Sequence, residues 1–135
     1  MDGLISKPEW LLQIYHAVPP FMEQKTWETR SRKTNKRERI YLLSSGGYVT
    51  GEATITDCVE ITSKQQWMDN AVKHQVGFIT GSFEPDVCYE LLSRHWPHIY
   101  AWILNDIVKY DEQIKYIHPK GAIIWVKDVE NKMKA

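Results

Sequence analysis

The stretch Tyr48–Ile61, YVTGEATITDCVEI, decides the fold. Its β-branched residues recur at alternate positions, which is typical of a β-strand. Gly51 interrupts the pattern and marks a candidate bulge. The run IYLL at 40–43 predicts a short buried strand before it, and the Ser-Ser-Gly-Gly segment at 44–47 predicts the turn between the two.

Strands and helices alternate irregularly on either side of this stretch. Strands are predicted at 4–6, at 26–32 and in two regions, HIYAWILNDIVKYDEQI at 98–114 and AIIWVKDV at 122–129. Helices are predicted after Ser6, which we expect to act as the N-cap, and at 64–76 and 86–95. A loop is predicted at 77–84, and residues 130–135 are expected to fray. Pairing of the 40–61 strands with the 99–126 strands gives an α+β fold with a barrel-like sheet.

Length and composition favour one folded domain spanning residues 1–135. The chain has 17 basic and 17 acidic residues, so its net charge of zero argues against a protein that coats nucleic acid through bulk charge. The two cysteines fit reduced thiols rather than a disulfide scaffold. The N-terminus does not read as a signal peptide, and no apolar stretch approaches the ~20 residues of a membrane span. We therefore expect a cytoplasmic protein without membrane association.

The segment KTWETR at 25–30 is the first candidate site. On a strand, Glu28 and Arg30 share one face, while Trp27 and Thr29 lie on the other. Lys25 stands where the loop enters the strand, so its long side chain reaches the same cleft. Arginine binds phosphate or carbonyl groups, and a desolvated lysine acts as a base or nucleophile. The alternative is an ordinary surface ion pair.

A basic run surrounds this segment. Residues 25–39 hold seven basic and two acidic side chains, a local balance of +5. Such a run suits contact with phosphates, although a solvated loop whose charge is offset elsewhere has the same composition. The basic strip, our name for its candidate nucleic-acid-binding residues, consists of Arg32, Lys33, Lys36, Arg37 and Arg39.

Aromatic residues offer stacking surfaces for unpaired bases. Trp102 and Tyr100 lie in an alternating strand, and the sequence allows either base stacking or core packing for both. Trp125 within AIIWV is expected in the core. The histidines lack metal-ligand spacing, so no metal is expected. The sequence also lacks a Gly-rich phosphate loop, and no cofactor is expected.

Taken in order, several short motifs resemble the ASCH domain, a branch of the PUA-like superfamily. They are KPEW at 7–10, the K-x-x-E-x-R element at 25–30, GEATITDC at 51–58, YAWIL at 100–104 and HPKGAIIWV at 118–126. The resemblance covers most of the chain. It implies a PUA-like mixed β-barrel with flanking helices and a cleft that receives RNA or a nucleobase-like ligand. By position, the cleft would be lined by Lys25, Glu28, Arg30, Tyr100, Trp102 and Glu52.

The resemblance also implies two kinds of function. The first is binding of RNA with unpaired bases, or of another nucleic acid, by the cleft and the basic strip. The alternative is a metal-independent enzyme centred on Lys25, either a ribonuclease or an amidohydrolase of a modified nucleoside. Similar amidohydrolases use a Lys, a Thr and a Glu; here Lys25 matches the Lys, but Glu28 stands where the Thr is expected.

Overall fold

The computed structural model describes residues 1–133. Within these residues, eight strands, four α-helices and a short 3-10 helix follow one another. The strands are β1 (Gly3–Ser6), β2 (Trp27–Arg30), β3 (Arg39–Ser44), β4 (Tyr48–Ile61), β5 (Phe78–Ile79), β6 (Ser82–Phe83), β7 (Ile99–Lys115) and β8 (Trp125–Val126). The helices are α1 (Pro8–Tyr15), α2 (Lys64–Asp69), α3 (Ala71–His74), α4 (Pro85–His95) and the 3-10 helix Val129–Lys132.

One six-stranded sheet, in the order β2-β7-β4-β3-β1-β8, carries the fold. β1 runs parallel to β3, and the other neighbouring pairs are antiparallel. β4 and β7 pair from Tyr48↔Lys115 to Ile61↔Ile99, which confirms the predicted long-range pairing. The sheet curls strongly into a half-barrel with flanking helices, so the predicted α+β class with a mixed, barrel-like sheet is confirmed. In the described residues β2 and β8 are its outer strands, and an opening lies between them.

Bulges in β4 produce part of this curl, because each adds twist to the strand. The register with β7 shifts at three places along β4, one of them between Val49 and Gly51. The bulge predicted at Gly51 is therefore confirmed. A Cβ atom at Gly51 would overlap the Val108 carbonyl oxygen and the Tyr15 hydroxyl. Only glycine allows β7 and α1 to approach β4 this closely.

Several predicted boundaries need correction. α1 begins at Pro8 with Lys7 as its N-cap, so Ser6 ends β1 and does not cap the helix. The predicted 64–76 helix is divided into α2 and α3 at Asn70.

Two loop and terminal predictions also change. The loop predicted at 77–84 contains the β5–β6 hairpin. The predicted fraying is wrong for the described part of 130–135, because Met133 bridges Tyr116; residues 134–135 lie outside the described residues. No helix within residues 1–133 is long and apolar enough to cross a bilayer.

Three hydrophobic clusters fill the interior of the sheet and its contacts with the helices. The first includes Leu4, Ile14 and Trp102, and the second is built around Trp67, which is fully buried. The third packs Leu43 and Val49 under the C-terminal segment. The first two clusters flank β2 and β1 and so hold the two sides of the opening in place.

Candidate functional site

The main cleft lies in the opening of the half-barrel, between β2 and the end of β1 at Ile5 and Ser6, which extends beyond the pairing of β1 with β8. Its volume is about 490 Å³, which falls within the range of small-molecule sites. β2 is an outer strand and turns its free edge toward the opening, so residues from both of its faces contribute to the lining. The aromatic lining comes from Trp10 and Trp96, and the polar lining from Ser6, Lys7, Lys25, Glu28, Thr29, Arg30 and Ser45.

Lys25 is held at the bottom of the main cleft by the end of α3. Its side chain is only 1% exposed, and its Nζ donates a hydrogen bond to the His74 carbonyl. Two neighbouring hydrogen bonds also join the segment around Lys25 to the end of α3. The Thr26 N–H donates to the Lys73 carbonyl (3.0 Å), and the Gln75 amide donates to the Glu23 carbonyl (2.7 Å). The position of Lys25 is therefore set by residues 73–75, about fifty residues away in the sequence.

Burial changes the acidity of Lys25. It lowers the pKa of this ammonium group from 10.5 to about 8, while the charge of Glu28 opposes the shift and that of Arg30 adds to it. No carboxylate among residues 1–133 lies within 4.0 Å of Nζ; the ring centroid of Trp10 lies 4.9 Å away. Lys25 is thus a buried cation whose proton is easier to remove than that of a surface lysine.

Four buried polar atoms of the main cleft have no hydrogen-bond partner. They are Ser6 Oγ, Glu28 Oε2, Thr29 Oγ1 and Arg30 Nε. Buried polar atoms are nearly always paired, so a group of unpaired ones indicates water or a ligand. Glu28 is 5% exposed and its Oε1 lies 3.7 Å from Arg30 Nε, too far for a hydrogen bond. Glu28 and Arg30 therefore form an ion pair without a hydrogen bond, and the acceptor Glu28 Oε2 and the donor Arg30 Nε both lack a hydrogen-bond partner.

Comparison with known proteins identifies the fold. No family model matches the chain, and no curated protein matches it. The crystal structure of ASCH from Zymomonas mobilis matches with a TM-score of 0.54 and 17% identity, over 84% of this chain and 69% of that chain. A tyrosine-to-phenylalanine variant of that protein matches with a TM-score of 0.55 and 16% identity, over 96% of this chain and 92% of that one. A serine-to-alanine variant gives 0.55 and 17%, over 96% and 90%.

This chain has the ASCH fold. The matches to the two variants each cover 96% of the chain. The resemblance inferred from the sequence motifs is thereby confirmed at the level of fold.

A second cleft of about 370 Å³ adjoins the main cleft in this ASCH fold. The two share Arg30 and Trp96 in their linings. Trp102 forms part of its wall: its indole N–H donates to the Arg32 carbonyl (2.8 Å), and its ring stacks on Trp125 with the centroids 5.7 Å apart. The loop after β2 is thereby fixed against β7 and β8.

The basic strip divides into paired and unpaired charges. Three of its members lie within 4.0 Å of a carboxylate: Lys36 contacts Asp2, Arg37 contacts Asp57 and Arg39 contacts Glu52. Arg32 and Lys33 are exposed, line the second cleft and have no carboxylate within 4.0 Å among residues 1–133.

The other predicted site residues lie elsewhere. Hydrogen bonds from Tyr110 and then Arg39 lower the pKa of Glu52, and this residue is not part of the lining of either cleft. Tyr100 pairs with Arg30 in the sheet register but lines neither cleft, and Trp102 lines only the second. The structure thus brings Lys25, Glu28 and Arg30 together and leaves Glu52 and Tyr100 outside.

Sequence reasoning missed most of the lining of the main cleft, including two hydroxyl and two tryptophan side chains. Ser6, Trp10, Thr29 and Trp96 belong to β1, α1, β2 and the end of α4, which meet only in the folded chain. KPEW at 7–10 is the one motif that pointed to Trp10, and nothing local marks Trp96. Within residues 1–133, no group of three His, Cys, Asp or Glu residues is arranged to hold a metal ion.

Proposed function

We propose that this protein binds single-stranded RNA by placing one unpaired base in the main cleft. The observation that carries the proposal is the set of four unpaired buried polar atoms beside Trp10 and Trp96. A nucleobase edge carries N–H donors next to carbonyl or ring-nitrogen acceptors. It would supply hydrogen-bond partners for Glu28 Oε2 and Arg30 Nε together, whereas an apolar ligand would leave both atoms without one.

The surroundings support a nucleotide chain as the ligand. An indole face offers a stacking surface for a base, and such stacking contributes ~1–3 kcal/mol per base. The hydroxyls of Ser6 and Thr29 are suited to the 2′-hydroxyl that distinguishes RNA from DNA. The adjoining second cleft carries the free charges of Arg32 and Lys33, which suit the phosphates of a strand that leaves the main cleft.

The base-binding role of Glu28 is tested by replacing it with glutamine, which keeps its shape and removes its charge. We expect Glu28→Gln to weaken binding of a labelled single-stranded hexanucleotide by roughly tenfold or more, because a charge-assisted hydrogen bond is lost. Fluorescence anisotropy at fixed salt measures the affinity. Glu60→Gln is the matched control, since Glu60 is exposed and lies outside the main cleft. Equal affinities for wild type and Glu28→Gln would contradict the proposal.

A second candidate function rests on the pKa of Lys25. A lysine whose pKa is lowered to about 8 is suited to act as a general base near neutral pH. In RNA cleavage without a metal, such a base would deprotonate a 2′-hydroxyl, and Arg30 would stabilise the charge that develops on the phosphate. Acetyl removal by the same lysine has less support, because Glu28 replaces the expected threonine.

A further inference from the structure

We propose that the second cleft is the phosphate subsite of the bound strand and that the footprint on the protein is limited to about two nucleotides. This inference rests on the proposed function. It starts from charge pairing within the basic strip, because only charges that are not already neutralised attract phosphate strongly. Composition alone would assign all five strip residues to phosphate contact.

The paired members of the strip serve the fold. Lys36 Nζ lies 2.7 Å from Asp2, and Arg39 Nε lies 2.7 Å from Glu52. Arg39 also donates to the Asp106 carbonyl, and Arg37 donates to the carbonyls of Thr34 and Lys36. A phosphate would have to displace these contacts. The three residues therefore add little to the affinity for a strand.

Arg32 and Lys33 are placed differently. Both are exposed at the second cleft, and the hydrogen bond from the Trp102 indole to the Arg32 carbonyl fixes their loop. Because Arg30 and Trp96 line both clefts, a phosphate bound in the second cleft would be adjacent to a base bound in the main cleft. A phosphate bound there would belong to the nucleotide whose base occupies the main cleft, or to the linkage to its neighbour.

This geometry predicts how the affinity depends on ligand length and on salt concentration. A dinucleotide should bind roughly tenfold more tightly than the nucleoside, and a hexanucleotide only slightly more tightly again, because further phosphates meet paired charges. Two phosphate contacts predict a slope of about −1.4 for log K against log salt concentration, whereas five would give about −3.5.

The experiment compares two double variants that each remove two positive charges. Arg32→Gln/Lys33→Gln should flatten the salt slope for the hexanucleotide to near zero, and Lys36→Gln/Arg37→Gln should leave it close to that of the wild type. The inference is overturned if the wild-type slope is near −3.5, if affinity climbs steadily with length, or if both double variants have the same effect. Absence of binding by the wild type would instead reject the proposed function, and this inference with it.

Discussion

Replacing Lys25 with methionine should stabilise the fold and weaken its binding of single-stranded RNA. We expect the free energy of unfolding of Lys25→Met to exceed that of the wild type by about 2 kcal/mol at pH 7. Binding of single-stranded RNA should weaken by roughly a hundredfold, a loss of about 3 kcal/mol. A residue that costs stability and supports binding is expected at a functional site rather than in a structural core.

The stability difference has a defined pH dependence. Burial lowers the pKa of Lys25 from 10.5 to about 8, so keeping its charge in the folded state costs about 3 kcal/mol. The hydrogen bond to the His74 carbonyl, lost in the variant, offsets about 1 kcal/mol of the gain. Between pH 8 and 10.5 the unfolded wild type binds more protons at Lys25 than the folded state does. The wild type therefore gains stability with rising pH in this window, and the advantage of Lys25→Met disappears.

Urea unfolding at pH 7 and pH 10.5 measures this difference, and Lys109→Met is the control because Lys109 is exposed. Incubation of labelled RNA with EDTA, followed by a denaturing gel, tests turnover on the same proteins. Strand cleavage by the wild type that disappears in Lys25→Met would establish the enzymatic candidate. A variant that is less stable than the wild type, yet binds RNA as well, would show that Lys25 is a structural residue.

Acid should destabilise the protein through His74. This side chain is fully buried and stacks on Trp67, with ring centroids 3.7 Å apart. Its Nδ1 accepts the Val76 N–H and its Nε2–H donates to the Trp67 carbonyl, an arrangement that requires the neutral ring. Burial lowers the pKa of His74 from 6.5 to about 4; the hydrogen bond to Trp67 opposes the shift and Lys25 adds to it.

The sign of the effect follows from proton binding. Between pH 6.5 and about 4 the unfolded chain is protonated at His74 and the folded chain is not, so the free energy of unfolding falls as pH falls. The loss from His74 amounts to about 3 kcal/mol by pH 4.

Denaturant unfolding between pH 7 and pH 4 measures the acid effect. His74→Gln should remove most of this pH dependence, while His95→Gln, at an exposed position, should retain it. The ring signals of His74 in an NMR titration of the wild type provide an independent check. A pKa near 6.5 for His74 would contradict the expectation.

The sheet was predictable because its signals are local. Tyr48–Ile61 alternates along its whole length and became β4 with the expected bounds. Strand alternation also placed Glu28 and Arg30 together. The division at Asn70 and the start of α1 at Pro8 were missed because many different sequences adopt the backbone geometry found at these two positions.

The surroundings of the candidate site depend on contacts that no local pattern encodes. Lys25 is buried by residues 73–75, and the charge of Arg39 is neutralised by Glu52 on the neighbouring strand. Alternation could not tell whether Trp102 was exposed, because it does not show which face of β7 is covered. In the structure this side chain is 3% exposed and packs in the core.

The most direct test of base binding in the main cleft is an NMR titration of the wild type with a single-stranded RNA hexanucleotide. The ¹H–¹⁵N signals of Arg30 Nε and of the Trp10 and Trp96 indoles report on the cleft itself. We predict large shifts in all three, because a bound base supplies the missing partner of Arg30 Nε and covers the indoles. Shifts confined to residues 32–39, with these three signals unchanged, would contradict base binding in the cleft.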